Sequence, residues 1–103
     1  MLLYVSAQHT ADNCPGTRRN RGEDIPPQAE LDKWVEGTDK VKVHGAWGFQ
    51  TGHRVFAIIE ADDYQDIRDL FRPTDHAGKY GTIEIMPVGD TIAIRKAAGN
   101  WGK

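Results

Sequence analysis

The chain has 103 residues, of which 39% are hydrophobic and 27% charged, a composition typical of one globular domain rather than of a disordered segment. Its formal net charge of -2 indicates neither a nucleic-acid partner nor binding to an anionic membrane. The sequence shows no signal peptide and no membrane-spanning apolar run, and its single cysteine, Cys14, has no partner for a disulfide, so we expect a cytoplasmic protein.

The first quarter of the chain predicts a strand and then a long loop. Residues 2–8 alternate between apolar and polar side chains, with Leu3, Val5 and Ala7 on one face, as in a half-buried strand. Residues 9–24 lack periodicity, and a loop of about 16 residues is longer than most connections in a compact domain. Such loops are typical of lids, binding loops and partner contacts, and equally of simple disorder.

A helix and two strands are predicted next. Asp24 is placed to cap the helix, whose apolar stripe of Leu31, Trp34 and Val35 precedes Gly37 as its end. Residues 40–49 alternate, which predicts a strand with Val41, Val43, Gly45, Trp47 and Phe49 on one face and His44 on the other. A turn at 50–52 leads into residues 53–61, which are apolar on both faces, as in a central strand covered on both sides.

The last part of the chain predicts a second helix, a fourth strand and a further strand. Asp62 or Asp63 caps the helix, and Pro73 stops it. A glycine-rich loop at 74–81 leads to a strand at 82–88, and Gly89 and Asp90 form a turn into a short fifth strand at 91–95. A flexible tail is expected at 96–103, where Trp101 is a candidate anchor for a partner.

The order β-α-β-β-α-β predicts a single α+β domain over residues 1–103. It forms a four-stranded antiparallel sheet with two helices on one face, the split βαβ arrangement. The uncovered face carries polar and apolar side chains, which favours packing against a second copy, although an antiparallel sheet also tolerates one solvated face.

Four stretches of sequence carry a resemblance to a known group. They are the opening strand running into His9–Pro15, then 41–47, 53–62 and 81–88. In these stretches the chain resembles the dimeric α/β-barrel superfamily of ferredoxin-like domains, and within it a set of small prokaryotic proteins. The resemblance implies a ferredoxin-like fold and a homodimer. It implies no particular chemistry, because that superfamily hosts cofactor-free monooxygenases, isomerases, haem-degrading enzymes and proteins of unknown activity.

One candidate site is a metal centre. His9 ends the first strand, Cys14 follows five residues later, and His53 or His44 can complete a set of ligands for zinc or copper. With Met86 the set would match an electron-transfer copper site. The alternative is that His9 ends a strand and Cys14 is a small apolar loop residue.

A second candidate site lies on the uncovered sheet face. Alternation places Tyr4, His44 and Glu84 there, where a histidine tuned by a carboxylate can act as a general base or acid and a tyrosine can orient a substrate. The alternative is a hydrogen-bonded polar patch within a dimer interface.

Arginines 18, 19 and 21 form a weaker candidate. Arg18, Arg19 and Arg21 suit an anionic ligand, but Glu23 and Asp24 follow at once and would partly neutralise the patch. The alternative is a solvated loop. The phosphate-binding, dinucleotide-binding and nucleophile-elbow motifs are absent from the sequence.

Three functions are therefore open. The first is a small-ligand-binding dimer, with acid–base chemistry at His44 and no cofactor. The second is a copper or zinc protein using His9, Cys14 and another histidine. The third is a non-catalytic subunit of a larger assembly. The sequence leaves open whether the protein is an enzyme.

Overall fold

A computed structural model describes residues 1–74 and 81–103. The strands are β1 (Leu2–His9), β2 (Lys42–Phe49), β3 (Arg54–Glu60) and β4 (Gly81–Pro87). The α-helices are α1 (Pro15–Asn20), α2 (Gln28–Leu31), α3 (Tyr64–Phe71) and α4 (Thr91–Ala97), and 3₁₀ turns lie at Ala11–Asn13, Asp32–Glu36 and Gln50–Gly52. The predicted glycine-rich loop falls mainly on residues 75–80, which are outside the described residues.

The described strands form one antiparallel sheet in the order β2-β3-β1-β4. This confirms the predicted α+β, ferredoxin-like arrangement, with β3 and β1 in the centre. No helix of the described residues is long and apolar enough to cross a membrane.

The core lies between the sheet and the helices. Alternation in β1 buries Leu3, Val5 and Ala7, as predicted. Helix α3 covers them with Ile67, Leu70 and Phe71, which recur at helical spacing. The Phe71 ring packs against Trp34, with ring centroids 4.7 Å apart. The predicted cap of this helix is also confirmed, because the Asp63 carboxylate accepts from the Gln65 N–H at 2.8 Å.

The helix predicted to follow Asp24 is α2, and it begins later than predicted. Its N-cap is Pro27 rather than Asp24, and α2 continues into the 3₁₀ turn at Asp32–Glu36 before Gly37 ends it with φ 74°. Pro26 and Pro27 precede the first turn, since a residue that precedes a proline avoids the helical region. Leu31 and Trp34 are nevertheless buried, whereas Val35 is exposed.

A β-bulge in β2 reverses part of the predicted alternation. The pairing with β3 shifts between Val43 and Gly45, so that one extra residue, His44, is accommodated. Beyond the bulge Ala46 packs against the core, and Trp47, predicted to share the face of Val41 and Val43, is 60% exposed. The Trp47 ring lies across Gly45, where a Cβ atom would be only 2.6 Å from the ring.

The predicted fifth strand is wrong. Residues 91–97 form helix α4, because the Asp90 carboxylate accepts from the Ala93 N–H at 3.0 Å and caps a helical turn. The chain then turns through residues 99–103, where the Arg95 guanidinium donates to the Lys103 carbonyl at 3.0 Å.

Candidate metal centre

His9 is the last residue of β1 and continues the set of side chains that faces the helices. It is 7% exposed, following Leu3, Val5 and Ala7 at the two-residue period of the strand. The His9 N–H donates to the His53 carbonyl at 3.1 Å. The end of β1 is therefore fixed to the start of β3.

His53 follows the turn between β2 and β3. Its backbone has φ 53° and ψ 41°, in the left-handed region, and its N–H donates to the Gln50 carbonyl at 3.1 Å. This conformation lets the chain enter β3 directly from the turn. The His53 ring lies against the His9 ring, with centroids 5.2 Å apart and planes inclined by 59°.

Cys14 stands at the beginning of α1, in the segment predicted to lack regular structure. Pro15 occupies the first helical position, where the missing N–H costs nothing, and the Cys14 carbonyl accepts from the Arg18 N–H at 2.9 Å. Cys14 is a half-buried free cysteine. The loop prediction therefore missed a short helix that positions the thiol.

The three predicted metal-site residues converge. One side-chain ligand atom from each of His9, Cys14 and His53 lies within 4.8 Å of the others. In a tetrahedral zinc site with normal bond lengths, such atoms are roughly 3.3–3.6 Å apart. Side-chain shifts of about 1 Å would therefore close the set on one ion.

The cluster opens into a cavity of about 550 Å³, a volume in the range of small-molecule sites. Its walls combine apolar and polar side chains. Residues that line it besides the cluster include Gln28, Asp32, Trp34, Trp47, Arg54 and Val55.

Asp32, Gln28 and Arg54 were not identified from the sequence. The Gln28 amide donates to the Asp32 carboxylate at 2.9 Å, and their i,i+4 spacing in a predicted helix was the available signal. Arg54 is adjacent to His53, and its guanidinium donates to the side-chain amide oxygen Oε1 of Gln8 at 2.9 Å.

The predicted acid–base set does not come together within one chain. Tyr4 on β1 and Glu84 on β4 lie on paired strands, but His44 lies on β2 at one edge of the sheet, and β3 and β1 separate it from β4 at the other. His44 Nε2 instead lies 3.1 Å from a carboxylate oxygen of Glu60. The Tyr4 ring packs against Phe56, with centroids 6.3 Å apart.

The two further ligands considered from sequence also lie elsewhere. Met86 pairs with Tyr4, about 16 Å along the strands from His9 at 3.3 Å per residue. His44 is the extra residue of the β2 bulge, and residues 45–49 separate it from the turn that precedes His53. Neither residue completes the cluster, so the copper site with an axial methionine is not formed.

The arginine group is occupied by contacts within the chain. Arg18 and Arg21 lie 3.2 and 3.1 Å from the Glu23 carboxylate, and the Arg19 guanidinium donates to the Pro26 carbonyl at 2.9 Å. The hydrogen bond from Arg18, then that from Arg21, and the charges of both hold the pKa of Glu23 below its usual value. The pairing supports the alternative of a neutralised patch and attaches α1 to the chain that follows it.

Comparisons with known proteins assign no activity to this site. The model of one family, described as a domain of unknown function (DUF3303), matches residues 3–101. No curated protein and no solved structure matches the chain.

Proposed function

We propose that the chain, which belongs to the DUF3303 family, binds a transition-metal ion through His9, Cys14 and His53. The observation that carries the proposal is the mutual approach of the three ligand atoms to within 4.8 Å. These residues come from β1, α1 and the start of β3, so no local sequence motif brings them together. Two imidazoles and a thiolate are ligands preferred by zinc and copper rather than by magnesium or calcium.

Zinc fits the site best. It is commonly bound by His and Cys in tetrahedral sites, and three protein ligands with an open fourth position are typical of catalytic or exchangeable zinc. Copper is the competing ion, although the thioether that would complete an electron-transfer site is distant. The thiolate requires a reduced cysteine, which accords with the proposed cytoplasmic location.

Small-ligand binding is proposed as a second function of the same site. The fourth position of the metal would face the cavity of about 550 Å³, where Trp34 and Trp47 offer apolar surface and Arg54 a cation. Such a mixture is usual in sites for small, partly apolar molecules. Acid–base chemistry at His44, Tyr4 and Glu84 has less support, because these residues do not line this cavity.

Metal binding is tested by titrating the metal-free protein with zinc and with cobalt(II), which reports its ligands by absorption. We expect one ion per chain and a thiolate-to-cobalt charge-transfer band that is lost in Cys14→Ser. His44→Asn is the matched control and should bind as the wild type does, because His44 lies outside the cluster. Unchanged stoichiometric binding by Cys14→Ser would exclude the thiolate.

The open coordination position has its own test. Inorganic azide added to the cobalt-loaded protein should change the visible spectrum by occupying the fourth position. A spectrum that is insensitive to azide would show a closed structural site, and the small-ligand proposal would then fail while metal binding stood.

A further inference from the structure

The segment from Val88 to Lys103, called here the arm, projects from the rest of the chain. Every residue of the arm is exposed. The radius of gyration is 16.0 Å and the longest dimension is 58 Å, whereas a compact domain of 100 residues has a radius of gyration of about 13 Å. The complete exposure of the arm accords with this extended shape.

The arm carries apolar side chains with no core to bury them. Ile92 and Ile94 of α4 are 57% and 62% exposed, and Trp101 is 56% exposed. An isolated helix of fewer than about 12 residues is marginal in water, and α4 has 7 residues. Helix α4 therefore requires a surface to pack against.

The sheet face opposite the core also lacks a cover. Trp47, Phe49 and Met86 are 60%, 55% and 46% exposed on it, and Tyr4, Phe56 and Ile58 are half-buried between them. Such a contiguous apolar face is typical of an interaction surface.

The link between β4 and α4 is short. The Val88 N–H donates to the Leu2 carbonyl at 3.0 Å, and the Asp90 carbonyl accepts from Ile94 at 2.9 Å. Only Gly89 lies between these two residues, and the Ile94 side chain lies close to it. No side chain of the arm is buried on its own sheet.

We infer that the arm of one chain packs on the open sheet face of a second copy, and that the second copy returns the same contact. Each chain carries one arm and one open sheet face. Two chains can therefore make the same contact twice, as in a two-fold dimer. Arg95 and Lys96 of the arm also complement the exposed carboxylates of Glu60 and Glu84 on the face.

The test compares Ile94→Glu and Trp47→Lys with Tyr64→Glu in sedimentation equilibrium of the full chain. Tyr64 is the matched control, because it is 56% exposed on α3, on the other side of the sheet. We expect a dimer for the wild type and for Tyr64→Glu, and a rise of about tenfold or more in the dissociation constant for the other two variants. None of these side chains is buried, so folding should survive each change.

Mixing the two weakened variants distinguishes the loss of a contact between the arm of one chain and the sheet face of the other from other causes of weaker dimerisation. A heterodimer of Ile94→Glu with Trp47→Lys keeps one wild-type arm on one wild-type face, so the mixture should dimerise more tightly than either variant alone. A monomeric wild type, or a dimer that tolerates Ile94→Glu, would overturn the inference. Failure of the mixture to recover would do the same.

Discussion

His53 combines an unusual backbone conformation with a place in the metal cluster. Among the described non-glycine residues, His53 has the only positive φ, at 53°. The left-handed conformation costs an ordinary side chain roughly 1–2 kcal/mol, and histidine is among the residues enriched there. A strained residue beside His9 and Cys14 accords with the proposed metal site.

Substitutions at His53 should separate metal binding from stability. His53→Asn keeps a residue that tolerates the left-handed region, so we expect stability within about 0.5 kcal/mol of the wild type. His53→Gly should raise stability by up to about 1 kcal/mol, since relief of strain exceeds the added chain entropy of 0.5–1 kcal/mol.

Both His53 variants should bind zinc more than ~100-fold more weakly, because changes to residues that merely orient ligands already cost 10–100-fold. Urea denaturation of the metal-free protein gives the free energy of unfolding, and competition with a zinc chelator gives the zinc affinity. Wild-type zinc affinity in His53→Asn would remove His53 from the site.

Local patterns predicted the residues of the cluster, but not how they meet. His9 at a strand end and Cys14 shortly after it were recognisable, and the turn before His53 was recognisable from its Gln-Thr-Gly sequence. Their convergence depends on α1. This short helix is stabilised by contacts of Arg18 and Arg21 with Glu23. Hydrophobic periodicity does not predict such ion pairs.

At the scale of elements, predictions from alternating side chains were wrong where the backbone departed from regular strand geometry. The order of strands and helices followed from hydrophobic periods, and α3 was predicted with its cap. The bulge at His44 exchanged the faces of Ala46 and Trp47, because one inserted residue reverses a two-residue period. Residues 91–95 suit a strand or a helix by pattern, and the Asp90 cap selects the helix.

Glu23 should control how firmly α1 holds Cys14. In Glu23→Gln the ion pairs with Arg18 and Arg21 are lost, so α1 should open more often. Alkylation of Cys14 in metal-free protein at neutral pH should be several-fold faster than in the wild type. Glu30→Gln, on exposed α2, is the control and should react at the wild-type rate.

The stabilising effect of Glu23 should depend on pH in a defined direction. The folded-state pKa lies below the ordinary value of 4.5, so the contribution is complete above pH 4.5 and is lost as the pH falls through the lowered pKa. The difference in urea midpoint between wild type and Glu23→Gln should therefore be constant near neutrality and shrink below pH 4.5. A difference that grows in acid would contradict this origin.

At the scale of the whole molecule, the His9, Cys14 and His53 cluster and the arm lie at opposite ends of the sheet. The cluster lies where β1 ends and β3 begins, and the arm leaves from the opposite end of β1, where Pro87 pairs with Leu3. The proposed metal binding and the proposed association therefore use different ends of β1, although Trp47 both lines the cavity and lies on the open sheet face. A domain of this size has a modest core, so either property can add a large fraction of its stability.

Zinc should stabilise the folded protein if the cluster binds it. At free zinc 100 times the dissociation constant, binding to the folded state alone contributes about 2.7 kcal/mol. Since 1 kcal/mol moves the midpoint of a domain of 60–100 residues by about 4–8 °C, we expect a rise in Tm of roughly 10–20 °C in a calorimetric scan. Magnesium should give no rise, because it prefers oxygen ligands. Cys14→Ser should lose most of the zinc effect, and an equal rise in that variant would place the zinc elsewhere on the chain.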